Sequence, residues 1–164
     1  MPLNRDQLRT RIQEEGLIRN YIDLDRQLTP NGFDLSLTEV AVFSGPGQLD
    51  FTNEERELPS AEPVPRDGDW WHLQKGIYKL TANEIVDIPL DIVGVGFQRS
   101  SLLRMGAHIQ NAFWEAGYKG ETECLLVVDN PEGIRLKEDA RIIQLGFQRM
   151  DAADDGYTGV YSMD

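Results

Sequence analysis

Short segments that alternate apolar and polar residues, separated by turn-forming residues, fill most of this chain and constrain its fold more than any other feature. FDLSLTEVAVF at 33–43 has the alternation typical of a half-buried strand. Residues 70–97 predict strand, turn and strand, and further strands are predicted at Glu121–Val128 and Ala140–Phe147. Strands that recur every 8–12 residues or so favour an all-β sandwich or barrel.

The start of the chain has a different pattern, which predicts a helix over residues 4–15. Asn4 is a suitable N-cap, and Gln7 stands three residues later, where it can complete a capping box. Gly16 supplies the C-terminal stop. We therefore expect one N-terminal helix that lies against a larger β body.

The chain length of 164 residues suits one domain with one core. We predict that this domain covers residues 1–150. The segment 45–69 is rich in Gly, Pro, Asp and Glu and is interpreted as hairpins and loop within the domain. Residues 151–164 are too polar and glycine-rich to pack a core, so we expect a flexible C-terminal tail.

The supply of soft metal ligands excludes several kinds of site. Cys124 is the single cysteine, and His72 and His108 are the two histidines. A structural zinc site needs about four such ligands, and the zinc-dependent nucleobase deaminases need a histidine and a paired-cysteine motif. Any metal is therefore expected to have oxygen ligands, with Mg²⁺ as the first candidate.

One cysteine, with neither a signal segment nor a membrane-spanning apolar run, favours the cytoplasm and no membrane partner.

The charge balance restricts the partners of the chain. Sixteen Lys and Arg residues stand against 28 Asp and Glu, which gives a net charge of −12. A surface this acidic repels DNA, RNA and anionic membranes. It also repels nucleoside triphosphates, so a phosphate site must be built locally from a few arginines and backbone N–H groups.

One segment carries the residue types that such a phosphate site needs. Arg99, Ser100, Ser101 and Arg104 bring two cations and two hydroxyls within six residues. If Ser100–Met105 forms a helical turn, its first N–H groups are free to join an anion-binding cradle. The alternative is a serine-capped turn with solvated arginines, and the residues alone leave both open.

A single carboxylate follows that segment. Glu115 is the only Asp or Glu between Phe97 and Gly120. A carboxylate beside a phosphate cradle can serve as the general base for an attacking water. The alternative is an ordinary surface glutamate in a hairpin.

An ordered series of motifs resembles one known family. RSSLLRMG at 99–106 closely resembles the RSSLxRxG signature of the dUTPase/dCTP deaminase superfamily. Other segments resemble motifs of that family in the family order, namely TPNGFDLSL (29–37), YKLTANEIVDIP (78–89), AFWEAGYKGE (112–121), ARIIQLGF (140–147) and GYTGVY (156–161). The long N-terminal helix and the lack of an arginine-rich tail are most similar to the archaeal-type dUTPases.

The resemblance implies a fold and an activity. The fold would be an all-β distorted barrel or jelly roll of the dUTPase-like, β-clip type, with an N-terminal helix and short helical turns. The protein would be a homotrimer that hydrolyses dUTP to dUMP and pyrophosphate with Mg²⁺. The C-terminal tail would close over the nucleotide as a lid.

The resemblance also implies roles for residues that bind the nucleotide. Asn111 and its neighbours would recognise the pyrimidine through backbone groups of a hairpin. Tyr118 would lie beneath the deoxyribose, although a tyrosine here could equally belong to the core. The phosphates would be held, often across a subunit boundary, by Arg99, Ser100, Ser101 and Arg104.

Further roles follow from the same resemblance. Glu115 would activate the water, at a position where the family normally has aspartate. Gln144 would contact phosphate or metal-bound water, or simply fill a polar gap in a strand. Asp34 would support the magnesium shell or a subunit contact, or cap a turn. Tyr157 and Tyr161 would arrive with the tail.

The two activities known on this fold differ at one position. In the deaminases the catalytic glutamate lies five residues after the glycine that closes the third motif. That glycine is Gly120 here, and five residues later stands Leu125, which cannot transfer protons. Glu123 is two residues earlier on the same strand face, displaced by about 6–7 Å. The sequence therefore favours hydrolysis over dCTP deamination. A non-catalytic nucleotide-binding homologue is the third hypothesis.

Overall fold

Eleven strands and three helices form within residues 1–163, the part of the chain that this computed structural model describes. The helices are α1 (Arg5–Glu15), α2 (Leu24–Gln27) and α3 (Ser100–Arg104). The strands are β1 (Ile18–Arg19), β2 (Leu28–Thr29), β3 (Gly32–Ser44), β4 (Ser60–Pro63), β5 (Trp70–Leu73), β6 (Gly76–Asp87), β7 (Ile92–Gln98), β8 (Ala107–Gln110), β9 (Lys119–Val128), β10 (Ile134–Lys137) and β11 (Arg141–Arg149). The predicted all-β class is confirmed.

One antiparallel sheet of nine strands forms most of the body. Its main path runs β7-β11-β3-β6-β9-β8, while β5 and β10 pair separately. Just beyond β8, Trp114 exchanges two backbone hydrogen bonds with Gly94 of β7, at 2.9 and 3.2 Å. Because β7 and β8 are the two ends of the path, this bridge almost closes the sheet into the expected barrel.

Helix α1 forms for the local reasons that predicted it. The Asn4 side chain accepts from the N–H of Gln7, and the Gln7 side chain accepts from the N–H of Asn4, which completes the capping box. Gly16 ends the helix in the left-handed region at φ 72°. Leu8 and Ile12, the apolar residues on one face of the helix, are buried in the core.

The core lies inside the nearly closed sheet and is built from alternating side chains. In β6 every second residue from Tyr78 to Val86 is buried. The segment 45–69 remains part of the domain, since Gln48 and Glu57 exchange backbone hydrogen bonds and β4 pairs with β3. Within residues 1–163, no helix has the length and apolar character needed to cross a membrane.

Candidate functional site

A cavity with a volume of about 730 Å³ lies beside the closing seam of the barrel. Its walls are rich in aromatic side chains and come from the segment after β8, from β9, from the C-terminal tail and from Leu58. They include Phe113, Trp114, Tyr118, Tyr157 and Tyr161. An aromatic pocket of this size suits a planar ring with an attached sugar.

Trp114 forms the base of this cavity because two glycines of β7 make room for it. A Cβ atom at Gly96 would lie 2.7 Å from the indole ring, and one at Gly94 would lie 2.8 Å from the Trp114 Cβ. The indole is 5% exposed, and its Nε1 donates to Thr122 Oγ1 of β9 at 3.3 Å. This packing fixes the chain immediately before Glu115.

Three carboxylates line the cavity, namely Glu115, Glu121 and Glu123. Glu115 follows the Trp114 bridge directly and is exposed to solvent at the wall. Among the residues that the structure describes, no Lys, Arg or His lines this cavity. The cavity alone therefore offers carboxylates and aromatic surface, and a polyphosphate would need cations from elsewhere.

The C-terminal tail lies against the cavity. The N–H of Tyr157 donates to the carbonyl of Ala116 at 2.8 Å, and the N–H of Met163 donates to the carbonyl of Lys119 at 2.7 Å. The Tyr157 ring meets the Tyr118 ring edge to face at 5.5 Å between centroids. Tyr157 and Tyr161 thus reach the same cavity as Glu115. The predicted tail also includes Asp164, which lies outside the described residues.

Tyr118 is half-buried between the tail and the start of β9. Its hydroxyl donates to the carbonyl of Glu121 at 2.7 Å. Burial raises the pKa of the Tyr118 hydroxyl, and the neighbouring Tyr157, Glu123 and Glu121 raise it further. The ring therefore stays neutral and provides a flat, apolar surface at the cavity.

A smaller cavity of about 350 Å³ adjoins the first and contains Asn111 and Leu125. The Asn111 side chain donates to the carbonyl of Ala112 at 3.0 Å. Glu123 lines both cavities and pairs with Lys79 at 2.6 Å. Leu125 thus lies away from Glu115, whereas Glu123 shares a cavity with it.

A second cluster, which we call the arginine cluster, consists of Asp34, Arg99 and Arg141. Asp34 Oδ2 lies 2.9 Å from Arg99 Nε and 3.3 Å from Arg141, and the aspartate side chain is 3% exposed. Burial raises the pKa of Asp34, and the two arginines oppose that rise. Gln144 pairs with Asp34 across β3 and β11, and its side chain donates to Thr29 Oγ1 at 2.8 Å.

The remaining residues of the predicted phosphate cradle lie on α3. Ser100, Ser101 and Arg104 are exposed. Arg99 is the N-cap of this helix and makes no side-chain capping bond, so the alternative of a serine-capped turn is not what forms. Arg99 is five positions along the chain from Gly94, the partner of Trp114. Five steps of extended chain span roughly 16 Å, and no residue of the predicted cradle lines the cavity that contains Glu115.

The sequence interpretation missed a buried polar network around Glu84. This residue is fully buried, and its carboxylate accepts from Gln27 Nε2 at 2.6 Å, Ser36 Oγ at 2.6 Å and Ser36 N at 2.9 Å. Burial raises the pKa of Glu84, and the hydrogen bonds from Ser36 and Gln27 oppose that rise. The sequence did contain a signal for this burial, because Glu84 lies on the same face of its strand as the apolar residues Leu80 and Val86.

Comparison with known proteins identifies the family of this chain. A family model described as dCTP deaminase-like matches residues 2–150. The chain belongs to this family. It is 46% identical over 162 residues to the probable deoxyuridine 5'-triphosphate nucleotidohydrolase of Methanosarcina acetivorans, with 97% of this chain and 95% of that protein covered. The corresponding probable enzyme of Archaeoglobus fulgidus is 47% identical over 159 residues, with 97% and 94% covered.

A solved structure supports the fold of this dCTP deaminase-like chain. The 2'-deoxycytidine 5'-triphosphate deaminase of Agrobacterium tumefaciens superposes with a TM-score of 0.68 at 18% identity. The match covers 91% of this chain and 48% of that one. The family model and the archaeal relatives confirm the suspected family, and the roles predicted for individual residues stay predictions.

Proposed function

We propose that this protein hydrolyses dUTP to dUMP and pyrophosphate. The observation that carries the proposal is the cavity that combines Glu115 with an aromatic wall and the C-terminal tail. The archaeal relatives, which match nearly the whole chain, support it, because they are named as probable deoxyuridine 5'-triphosphate nucleotidohydrolases. The cytoplasmic location stays a prediction.

The uracil and deoxyribose would occupy the aromatic cavity, with Tyr118 beneath the sugar and the Asn111 segment against the base. The ring of Tyr118 provides a flat face, and the tail tyrosines provide a second wall. Tyr157 and Tyr161 would exclude water once the nucleotide is bound. Asn111 would act through the backbone, since its side-chain amide donates to the neighbouring Ala112 carbonyl.

The triphosphate would be held by a second copy of the chain. The cavity of one protomer offers carboxylates, and its own Arg99 to Arg104 segment lies elsewhere. A homotrimer in which α3 of one copy faces the cavity of the next would bring Arg99, Ser100, Ser101 and Arg104 to the phosphates. Gln144, which lies opposite Asp34 in the pairing of β11 with β3, would contact the same triphosphate.

Glu115 would then act as the general base. It would orient a water for in-line attack on the α-phosphorus and accept its proton as the bond to the pyrophosphate oxygen breaks. The guanidinium and hydroxyl groups of the cradle would stabilise the developing negative charge. The substrate would be the magnesium complex of dUTP, in which the metal offsets part of the triphosphate charge.

Asp34 does not fit a direct magnesium ligand in this arrangement. Its carboxylate is buried and already shared by Arg99 and Arg141, so a cation would have to displace both guanidiniums. Within residues 1–163, no three His, Cys, Asp or Glu side chains form a metal-binding group. Mg²⁺ would therefore be held mainly by substrate oxygens and water, with at most one or two carboxylates of the protein.

Pyrophosphate release from dUTP, dCTP, dTTP and UTP with magnesium tests the activity directly. We expect release from dUTP alone. Glu115→Gln should lower kcat by at least about 10²-fold while a non-hydrolysable dUTP analogue still binds. Glu121→Gln is the matched control, because it removes another carboxylate from the same cavity. Full activity of Glu115→Gln would remove that residue from the base role.

Mixing two inactive variants tests the shared site. Glu115→Gln and Arg104→Ala should each be inactive alone. When they are co-assembled, some sites would combine an intact Glu115 from one copy with an intact Arg104 from another, so activity should return. Persistent inactivity of the mixed assembly would mean that each site is built within one protomer.

Deamination of dCTP is the second candidate, because Glu123 lines the same cavity as Glu115. Its carboxylate is paired with Lys79 at 2.6 Å, which holds it against β6. Release of ammonia from dCTP, lost in Glu123→Gln, would support this activity. Binding of nucleotide without turnover of either substrate would instead favour the non-catalytic homologue.

A further inference from the structure

Glu84 is a buried carboxylate surrounded by hydrogen-bond donors. The orientation of each donor is fixed by a further contact. Gln27 Oε1 accepts from the N–H groups of Ile22 and Asp23, so its Nε2 must point at Glu84. Ser36 Oγ accepts from Asn83 Nδ2 at 3.0 Å, which leaves its proton for Glu84. Each contact therefore requires an acceptor at position 84.

The same donors connect Glu84 to the arginine cluster. Gln27 Nε2 also donates to the backbone carbonyl of Asp34 at 2.9 Å. The N–H of Ser36, two residues further along β3, donates to Glu84 Oε2. The backbone from Asp34 to Ser36 is thus held at both ends by a network centred on one carboxylate. The side chain of Asp34 in turn pairs with Arg99 and Arg141.

We propose that Glu84 is a positioning residue for the phosphate site. By fixing the Asp34–Ser36 segment of β3, it sets the place from which Asp34 orients Arg99 and Arg141. The two guanidiniums share one carboxylate, so the cluster keeps a net positive charge for an anion. This inference rests on the proposed function, in which Arg99 binds the phosphates of dUTP.

The network needs a carboxylate and does not accept an amide of the same shape. In Glu84→Gln the new NH₂ group must face either the N–H of Ser36 or the Nε2 of Gln27. Neither of these donors can become an acceptor in its present orientation. A donor facing a donor in a buried site forces the β3 segment to move, although the side-chain volume is unchanged.

Binding of three ligands separates positioning from simple support of the fold. We would measure the affinity of a non-hydrolysable dUTP analogue, dUMP and deoxyuridine for the unaltered protein and for Glu84→Gln. The triphosphate analogue should bind about tenfold more weakly, which corresponds to one charge-assisted hydrogen bond. The affinity for deoxyuridine should change by less than about twofold, because the aromatic cavity is unaffected.

Leu136→Ala is the matched control. Leu136 is buried in β10, which pairs with β5 and not with β3 or β6, so we expect its truncation to lower stability without moving Asp34. All three ligands should bind this control as they bind the unaltered protein. An equal loss of affinity for all ligands in Glu84→Gln, or no loss, would overturn the positioning role. Absence of dUTP-analogue binding by the unaltered protein would overturn the proposed function and this inference together.

A double variant tests whether Glu84 acts through Asp34. Asp34→Asn should itself weaken binding of the triphosphate analogue. If Glu84 acts through Asp34, adding Glu84→Gln to that variant should weaken binding by less than a further factor of about two. If the losses of affinity in the two single variants instead multiply in the double variant, Glu84 does not act through Asp34. Should Glu84→Gln fail to fold, Ser36→Ala removes one donor from Glu84 and should produce a smaller loss confined to the triphosphate analogue.

Discussion

At the scale of single residues, Gly117 determines how closely the tail approaches the domain. Its φ is +81°, and a Cβ there would lie 2.6 Å from the Gly156 Cα. Gly117→Ala should therefore cost about 1–2 kcal/mol in backbone strain and also displace the tail. Limited proteolysis within residues 151–163, together with thermal unfolding, measures both effects.

Gly45→Ala is the control for that substitution. Gly45 has a φ of +87°, and a Cβ there would have nothing within 4 Å. It should show the same backbone strain without faster cleavage of the tail. Equal cleavage in the two variants would mean that contact with Gly156 does not hold the tail in place.

At the scale of elements, an ion pair fastens α1 to the start of β7. Arg11 makes two contacts with Asp91, and its hydrogen bond lowers the pKa of the Asp91 carboxyl. A lowered pKa contributes stability above the unfolded value of 3.8, and this contribution is lost as pH falls through the folded value. Because the aspartate is 40% exposed, solvent screening limits the contribution to at most about 1 kcal/mol.

We therefore expect Asp91→Asn to lower the free energy of unfolding at neutral pH by up to about 1 kcal/mol. The difference from the unaltered protein should shrink below pH 3.8 and vanish once Asp91 is protonated. Urea unfolding at several pH values measures it. Asp25→Asn removes a more exposed partner of Arg9 and serves as the control. A difference that persists unchanged in acid would rule out the ion pair as its cause.

Local chemistry explains which elements the sequence predicts. The capping residues Asn4, Gln7 and Gly16 define α1 without help from the rest of the chain. The long alternating segments become β3, β6 and β9. The four-residue strands β8 and β10 were missed, because a stretch that short carries too few alternations to be recognised and depends on its partner strand.

At the scale of the whole molecule, the relation between distant segments limits prediction. Glu84 looks like one polar residue in a strand, and its partners Ser36 and Gln27 lie 48 and 57 residues away. Asp34 was expected near a metal, and its pairing with Arg99 depends on the register of β11 between β3 and β7. Residue types suggest which groups could take part in the chemistry, whereas strand register decides which of these groups meet.

Net charge is the other property of the whole molecule. Twenty-eight acidic side chains against 16 basic ones leave −12, so long-range repulsion opposes the folded state. Raising NaCl from about 0.01 M to 0.15 M shortens the screening length from roughly 30 Å to 8 Å. If this relieves about 1 kcal/mol, Tm should rise by about 2–4 °C, with KCl giving the same shift. A fall in Tm would mean that attractive pairs such as Arg11 with Asp91 outweigh the repulsion, because the same salt screens both.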